Sequence, residues 1–220
     1  MPFTTARAAA LLALSALSTA APALAQTVVA GPVYNPATGS RYYLLDSPSV
    51  AAAATWAQTT VKGRLAEVSD FAENEFIRAA FANTNPERKI EIGLSDTVTE
   101  GNYLWNNAPG GPTYRNWAPG EPAQSNNASA DHVQMFSDGL WYPRQDSFTN
   151  FVVVETTAPA QVPGEFASVN DAAAFLETVG GGVIELAPGD YRVAPTIDQT
   201  VPLTVRGAGA GLTTLRHGVV

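Results

Sequence analysis

Cysteine is absent from all 220 residues, so neither a disulfide nor a thiolate metal site can hold this fold. Histidine occurs twice, at His132 and His217, far apart and with no third imidazole, which removes the usual basis for zinc. No later stretch approaches the ~20 continuous apolar residues of a membrane-spanning helix. Positive charge is scarce too: 12 Lys and Arg stand against 20 Asp and Glu, for a net charge of -8. Nucleic acid and anionic membrane are poor partners for such a chain, because phosphate binding needs clustered basic side chains. Divalent cations remain compatible with it. No nucleophile–base constellation and no phosphate-cradling loop is present, so catalysis is left without a candidate residue in this chain.

What is present begins with an export signal. Met1 to Arg7 carries one positive side chain, Ala8 to Leu17 is a short apolar run, and Ala23-Leu24-Ala25 closes it. These parts together read as a signal peptide over residues 1–25, cleaved before Gln26. The expected location is therefore secreted or periplasmic. Arg7 is the only charged residue lost, which leaves the mature chain more acidic still.

The remainder suits one full core plus a smaller unit, on the prior of about 100–200 residues per domain. Arg41 to Leu45 reads as a strand. Ser47-Pro48 supplies an N-cap and a first-turn proline for a helix over Ala51 to Thr60, stopped by Lys62-Gly63. Leu65 to Val68 forms a short strand-like connector. Asp70 with Glu73 resembles a capping box for a second helix, whose apolar stripe is Ala72, Phe76, Ile77, Ala80 and Phe81. Ile90, Ile92 and Leu94 alternate as in a strand with one buried face. Ser95 to Arg144 is rich in Gly, Pro, Asn and single aromatics, a long loop region of the kind that usually carries function. Phe151 to Val154 is apolar enough for the middle of a sheet. The layout is α+β, and Trp105, Trp117 and Trp141 are expected as the core of the loop region, with stacking on sugar as the alternative.

Several of these segments resemble the C-type lectin-like family. They are Arg41-Tyr42-Tyr43, Gly63-Arg64-Leu65-Ala66, Glu73-Asn74-Glu75-Phe76 and Ile92-Gly93-Leu94-Ser95-Asp96. Asn116-Trp117-Ala118-Pro119-Gly120-Glu121-Pro122, Asp131 to Met135, Gly139-Leu140-Trp141 and Phe151 to Glu155 then follow in the family's order. The resemblance covers residues 31–157, within a domain placed at 26–157, and implies two helices, small antiparallel sheets and a long loop region. The family usually carries disulfides, and His132 stands where a half-cystine is expected.

The resemblance also implies calcium positions. Of the sugar-bridging set, Glu121 and Pro122 match, but Ala123, Ala130 and Tyr142-Pro143 replace the other ligands. Calcium wants six to eight oxygens, so a calcium-bridged sugar is not expected there, and Glu121 is left as the one candidate ligand-binding residue. The family's auxiliary calcium position maps to Asp96, Glu100, Gln124 and Asp131, where calcium is possible. The alternative is three solvated acids, or Glu100 capping a turn. Asn127-Ala128-Ser129 fits a glycosylation sequon.

Ala158 to Gly164 reads as a linker. Beyond it, Ser168 and Asp171 flank a helix start, Ala172 to Val179 form the helix, and Val183 to Leu186 form a strand. A Pro188-Gly189-Asp190-Tyr191 turn and an Arg206-Gly207-Ala208-Gly209 turn follow. Residues 165–220 resemble the N-terminal cap and first coils of a pectate-lyase-like, right-handed parallel β-helix. Stacked repeats need about three or more to bury a core, so the expectation is a piece of a longer protein or a truncated reading frame.

Together these readings imply an exported, noncatalytic lectin-like module recognising a glycan or protein surface. The alternatives are the front of a β-helical polysaccharide lyase, hydrolase or epimerase, and the tip of a structural adhesin.

Overall fold

The structure is a computed structural model that describes residues 26–123, 129–144, 151–193 and 200–217. The expected signal peptide, Gln124 and Asn127 lie outside the described residues.

The larger unit is built on one sheet in the order β1-β2-β8-β4-β6-β7, with β3 paired to β8 and β5 paired to β4. Its strands are β1 (Thr27–Asn35), β2 (Ser40–Asp46), β3 (Arg64–Leu65) and β4 (Ile90–Ser95). β5 (Leu104–Trp105), β6 (His132–Met135), β7 (Trp141–Arg144) and β8 (Phe151–Thr156) complete it. One mixed sheet thus replaces the small antiparallel sheets expected, because β4 meets β8 in parallel at Glu91 and Val152 while its other partners run antiparallel. β1 was not foreseen. It pairs with β2 as a hairpin through register shifts around Ala30, next to the ladder-breaking Pro32.

Alternation along β2 and β8 divides the interior in two. Tyr42, Leu44 and Val153 face a core with Ile77, Phe81, Ile92, Trp105 and Trp141. Tyr43, Leu45, Val152 and Val154 face the opposite layer with Ala53, Ala57 and Val61. Burial on both faces explains why Phe151 to Val154 reads as a continuous apolar run. It also corrects the reading of β4: all six of its residues are buried, including Glu91, which accepts a 3.1 Å hydrogen bond from Gln134 on β6.

Helix α1 (Val50–Thr60) is capped two residues later than expected. Ser49 is the N-cap, accepting from the Ala52 amide, while Ser47 donates to the Ser49 carbonyl. Ala53 and Ala57 are its buried positions, small enough to let the helix lie close on the sheet. It ends at Lys62, which takes a left-handed φ of 54°. Gly63 follows where a Cβ would stand 2.1 Å from the Glu155 carbonyl oxygen, so no other residue fits.

Helix α2 (Phe71–Ile77) runs into a π-helical turn at Arg78–Ala82. Asp70 caps the Glu73 amide, and Glu73 reaches back to the amide and hydroxyl of Ser69. The buried stripe differs from the apolar spacing: Ala72 is exposed, while Glu73 and Asn74 are buried. Both polar groups are held, Glu73 by the Tyr42 hydroxyl and Asn74 by the Trp141 indole.

In the second unit, helix α3 (Val169–Thr178) is capped by Ser168 as expected. The stretch read as a linker contains strand β9 (Ala160–Val162), which pairs in parallel with β10 (Gly182–Leu186); β10 pairs in parallel with β12 (Leu203–Gly207). β11 (Gly189–Val193) pairs in parallel with β13 (Thr213–His217). Gly189 to Tyr191 and Arg206-Gly207, expected as turns, therefore lie in strands. Val162, Phe166, Ala172, Leu176, Ile184 and Leu186 make this unit's own core.

Candidate functional site

The long segment between β4 and β8 forms the candidate binding region, and aromatic rings give it an interior. Trp105 and Trp141 are 2% and 0% exposed, with ring centroids 5.7 Å apart and nearly perpendicular. Trp117 and Tyr114 also meet Trp141 edge-on, at 6.1 and 5.6 Å, and Tyr103 meets Trp117 at 5.0 Å. Such edge-to-face contacts suit the quadrupoles of the rings. Trp117 differs from the other two in being only half-buried.

Polar groups pin this cluster. The Trp105 indole donates to the Pro112 carbonyl at 2.8 Å, and the Trp141 indole donates to Asn74 Oδ1 at 2.8 Å. Backbone bonds from Ala118 to Trp141 and from Trp141 to Asn116 tie the Trp117 segment to β7. Two residues were missed as organisers of the loop. Arg115 donates to the carbonyls of Pro112, Tyr114 and Tyr103 and lies over the Trp105 ring, and burial lowers its pKa. Asn116 donates to the Gly139 carbonyl at 2.7 Å. A side chain that serves several main-chain carbonyls leaves no spacing signal in sequence.

The expected acidic positions are arranged by the β4–β6 pairing. Ser95 stands opposite His132, so Asp96 just after β4 and Asp131 just before β6 meet, and the Asp96 amide donates to the Asp131 carbonyl at 3.1 Å. Asp96 is buried; its Oδ2 accepts from the Gly101 amide at 2.9 Å, and its Oδ1 is buried with no hydrogen-bond partner. Glu100 is exposed, and its pKa is raised by desolvation and by the charges of Asp96 and Asp131. Three carboxylates thus sense one another across two segments, and oxygen donors of this kind suit a hard cation. Among the described residues, no three acidic or histidine side chains are close enough together to hold a metal as they stand.

The sugar-bridging position is different. Glu121 is half-buried and its carboxylate accepts from the Ala123 amide at 2.7 Å, closing the turn around itself. Ala130 is fully buried, Pro143 sits in β7, and Tyr142 packs on Phe136 at 4.3 Å. These groups offer no ring of oxygens, and a bridging calcium does not fit there.

Residues 47–155 match the family model of the lectin C-type domain. A curated relative, the mannose-binding protein of Gallus gallus, is 35% identical over 71 residues, which is 32% of this chain and 26% of that protein. This chain therefore spans well under half the length of the relative it matches. The human scavenger receptor C-type lectin carbohydrate-recognition domain is 21% identical with a TM-score of 0.48, over 58% of this chain and 98% of its own. The cow carbohydrate-recognition domain of CD23 is 26% identical with a TM-score of 0.46, over 56% of this chain and 91% of its own. The segment from 47 to 155 is thus similar to the C-type lectin domain.

Proposed function

We propose that this protein is an exported, noncatalytic binding module whose lectin domain recognises a glycan. The family match over residues 47–155 carries this reading, and the relative named for mannose binding supports it. Because the bridging calcium position holds Ala123, Ala130, Tyr142 and Pro143, recognition would proceed through direct hydrogen bonds and stacking. A glycan array probed with residues 26–220 tests the reading. Selective signal on a glycan class is expected, and a blank array in calcium and in chelator would overturn it.

Calcium has a separate, structural role in this proposal. Asp96, Glu100 and Asp131, with Gln124, would hold it, and its charge would offset the desolvation and the repulsion from Asp96 and Asp131 that raise the Glu100 pKa. The buried Oδ1 of Asp96 supports this assignment. A rise in melting temperature with calcium, abolished by Asp131→Ala, is expected; an equal rise in the variant would move the ion elsewhere.

The second unit is read as the cap and opening coils of a parallel β-helix. Its support is the in-register parallel pairing of β9, β10 and β12 and of β11 with β13. Export rests on the Met1 to Ala25 segment. Recovery of uncleaved chain from the cytoplasm would refute it.

A further inference from the structure

The two units are clamped together, and the clamp leaves a cleft between them. Arg41 on β2 donates from Nε to Glu165 Oε1 at 2.5 Å and from Nη2 to Glu165 Oε2 at 2.9 Å, and Tyr43 donates to the same carboxylate. Next to this clamp, the end of α1 faces β9, β10 and β12 across a cleft of about 560 Å³, within the range of about 300–1,000 Å³ usual for ligand pockets.

Its chemistry is set by register. Glu185 is paired with Gln161 on one side and Arg206 on the other, and all three line the cleft. In-register parallel strands place these side chains in one row on one face. Gln161 Nε2 donates to Glu185 Oε2 at 3.1 Å, leaving the amide–carboxylate pair oriented. Arg206 is exposed and has no hydrogen bond or ion pair among the described residues. From the opposite wall comes Lys62, whose ammonium donates to the Thr59 carbonyl at 3.3 Å, its one hydrogen bond among the described residues. Lys62 holds a left-handed φ of 54°, a conformation that favours glycine.

Two cations that make no ion pair among the described residues thus line a cleft of a chain whose net charge is -8. We propose that this cleft is a second binding site, for a sugar acid that carries one carboxylate beside free hydroxyls. Lys62 and Arg206 take the carboxylate. Glu185 accepts from hydroxyls and Gln161 offers its amide oxygen. The carboxylate of Glu185 in the middle of the row disfavours a phosphate dianion, and it accepts from the hydroxyl donors of a monoanionic sugar acid. This site does not depend on the lectin domain binding a glycan, since it lies between the units.

The test is calorimetric titration of the full chain with sodium glucuronate, glucose and inorganic phosphate. Glucuronate is expected to bind, more weakly as salt is raised, and to bind at least about tenfold more tightly than glucose or phosphate. Arg206→Gln and Lys62→Gly are each expected to weaken it by about tenfold, the loss of one charge-assisted contact. Lys62→Gly should do so with no loss of thermal stability, because glycine adopts that φ freely. Equal binding of glucose, preference for phosphate, absence of binding, or unchanged affinity in Arg206→Gln would each overturn the proposal.

Discussion

Glu165→Ala is the most informative perturbation of the joint between the units. The carboxylate is wholly buried, and Arg41 is 7% exposed at its side chain. Two guanidinium bonds, the Tyr43 hydroxyl and a long 3.4 Å contact from the Gln161 amide converge on it. Without it, Arg41 keeps its 2.7 Å bond to the Ala158 carbonyl but no anion. Breaking a buried pair by removing one partner costs about 3–5 kcal/mol, because a charge is left uncompensated. Burial by itself lowers the Arg41 pKa, yet the bonds and charge of Glu165 raise it overall, so the guanidinium stays charged and exposed to that penalty. Urea unfolding followed by tryptophan fluorescence and by circular dichroism gives the assay. Glu165→Ala should separate the two probes into distinct transitions, with the second unit melting first. Arg41→Met with Glu165→Met should restore stability to within about 1 kcal/mol of the parent, since an apolar pair removes both desolvation penalties. A loss below about 1 kcal/mol in Glu165→Ala, or strict additivity of Arg41→Ala with Glu165→Ala, would show that the clamp does not couple the units.

Trp141→Ala should cost about 3–5 kcal/mol, and Trp117→Ala clearly less because its ring is half-buried; equal melting temperatures would refute this ranking. Gly63→Ala should destabilise by at least about 1–3 kcal/mol through collision with the Glu155 carbonyl, measured by chemical denaturation. For Glu100, burial and the charges of Asp96 and Asp131 place the folded pKa above the unfolded one. Its contribution is therefore full below the ordinary carboxylate range and lost as pH rises through the raised value. Metal-free stability should fall with rising pH in that window, Glu100→Gln should flatten the fall, and a slope unchanged in Glu100→Gln would reject the assignment.

The elements most legible in sequence were those whose burial follows the chain's own period. β2, β8, α1 and α3 all lie where apolar runs and caps placed them, within three residues. The errors have physical causes. Ser47 was read as the N-cap because Pro48 follows it, whereas the cap that forms is Ser49, set by where the chain leaves β2. Glu73, Asn74 and Glu91 fall outside the apolar stripes read in the sequence, which carries no sign of the Tyr42, Trp141 and Gln134 groups that allow their burial. β9 was hidden inside a proline-flanked stretch because its strand character comes entirely from its partner β10. At the candidate site, Asp96 and Asp131 were visible as acids, but their meeting depends on the β4–β6 register, which no local pattern encodes.

A lectin-like domain without cysteine must order its long loops by other means, and the structure shows how that load is shared. Trp141 is the hub. Its ring receives Trp105, Trp117 and Tyr114 edge-on, its indole reaches Asn74 on α2, and its backbone holds the segment from Asn116 to Ala118. One residue thereby ties α2, β7 and two loop segments together, which is the kind of connection a disulfide makes between distant parts of a chain. The difference is that a disulfide acts largely by constraining the unfolded chain, whereas this hub acts only once the rings are packed. Loop order in this domain is therefore coupled to its global stability. Conditions that loosen the core should release the loop carboxylates Asp96, Glu100 and Asp131 from one another before the sheet itself opens.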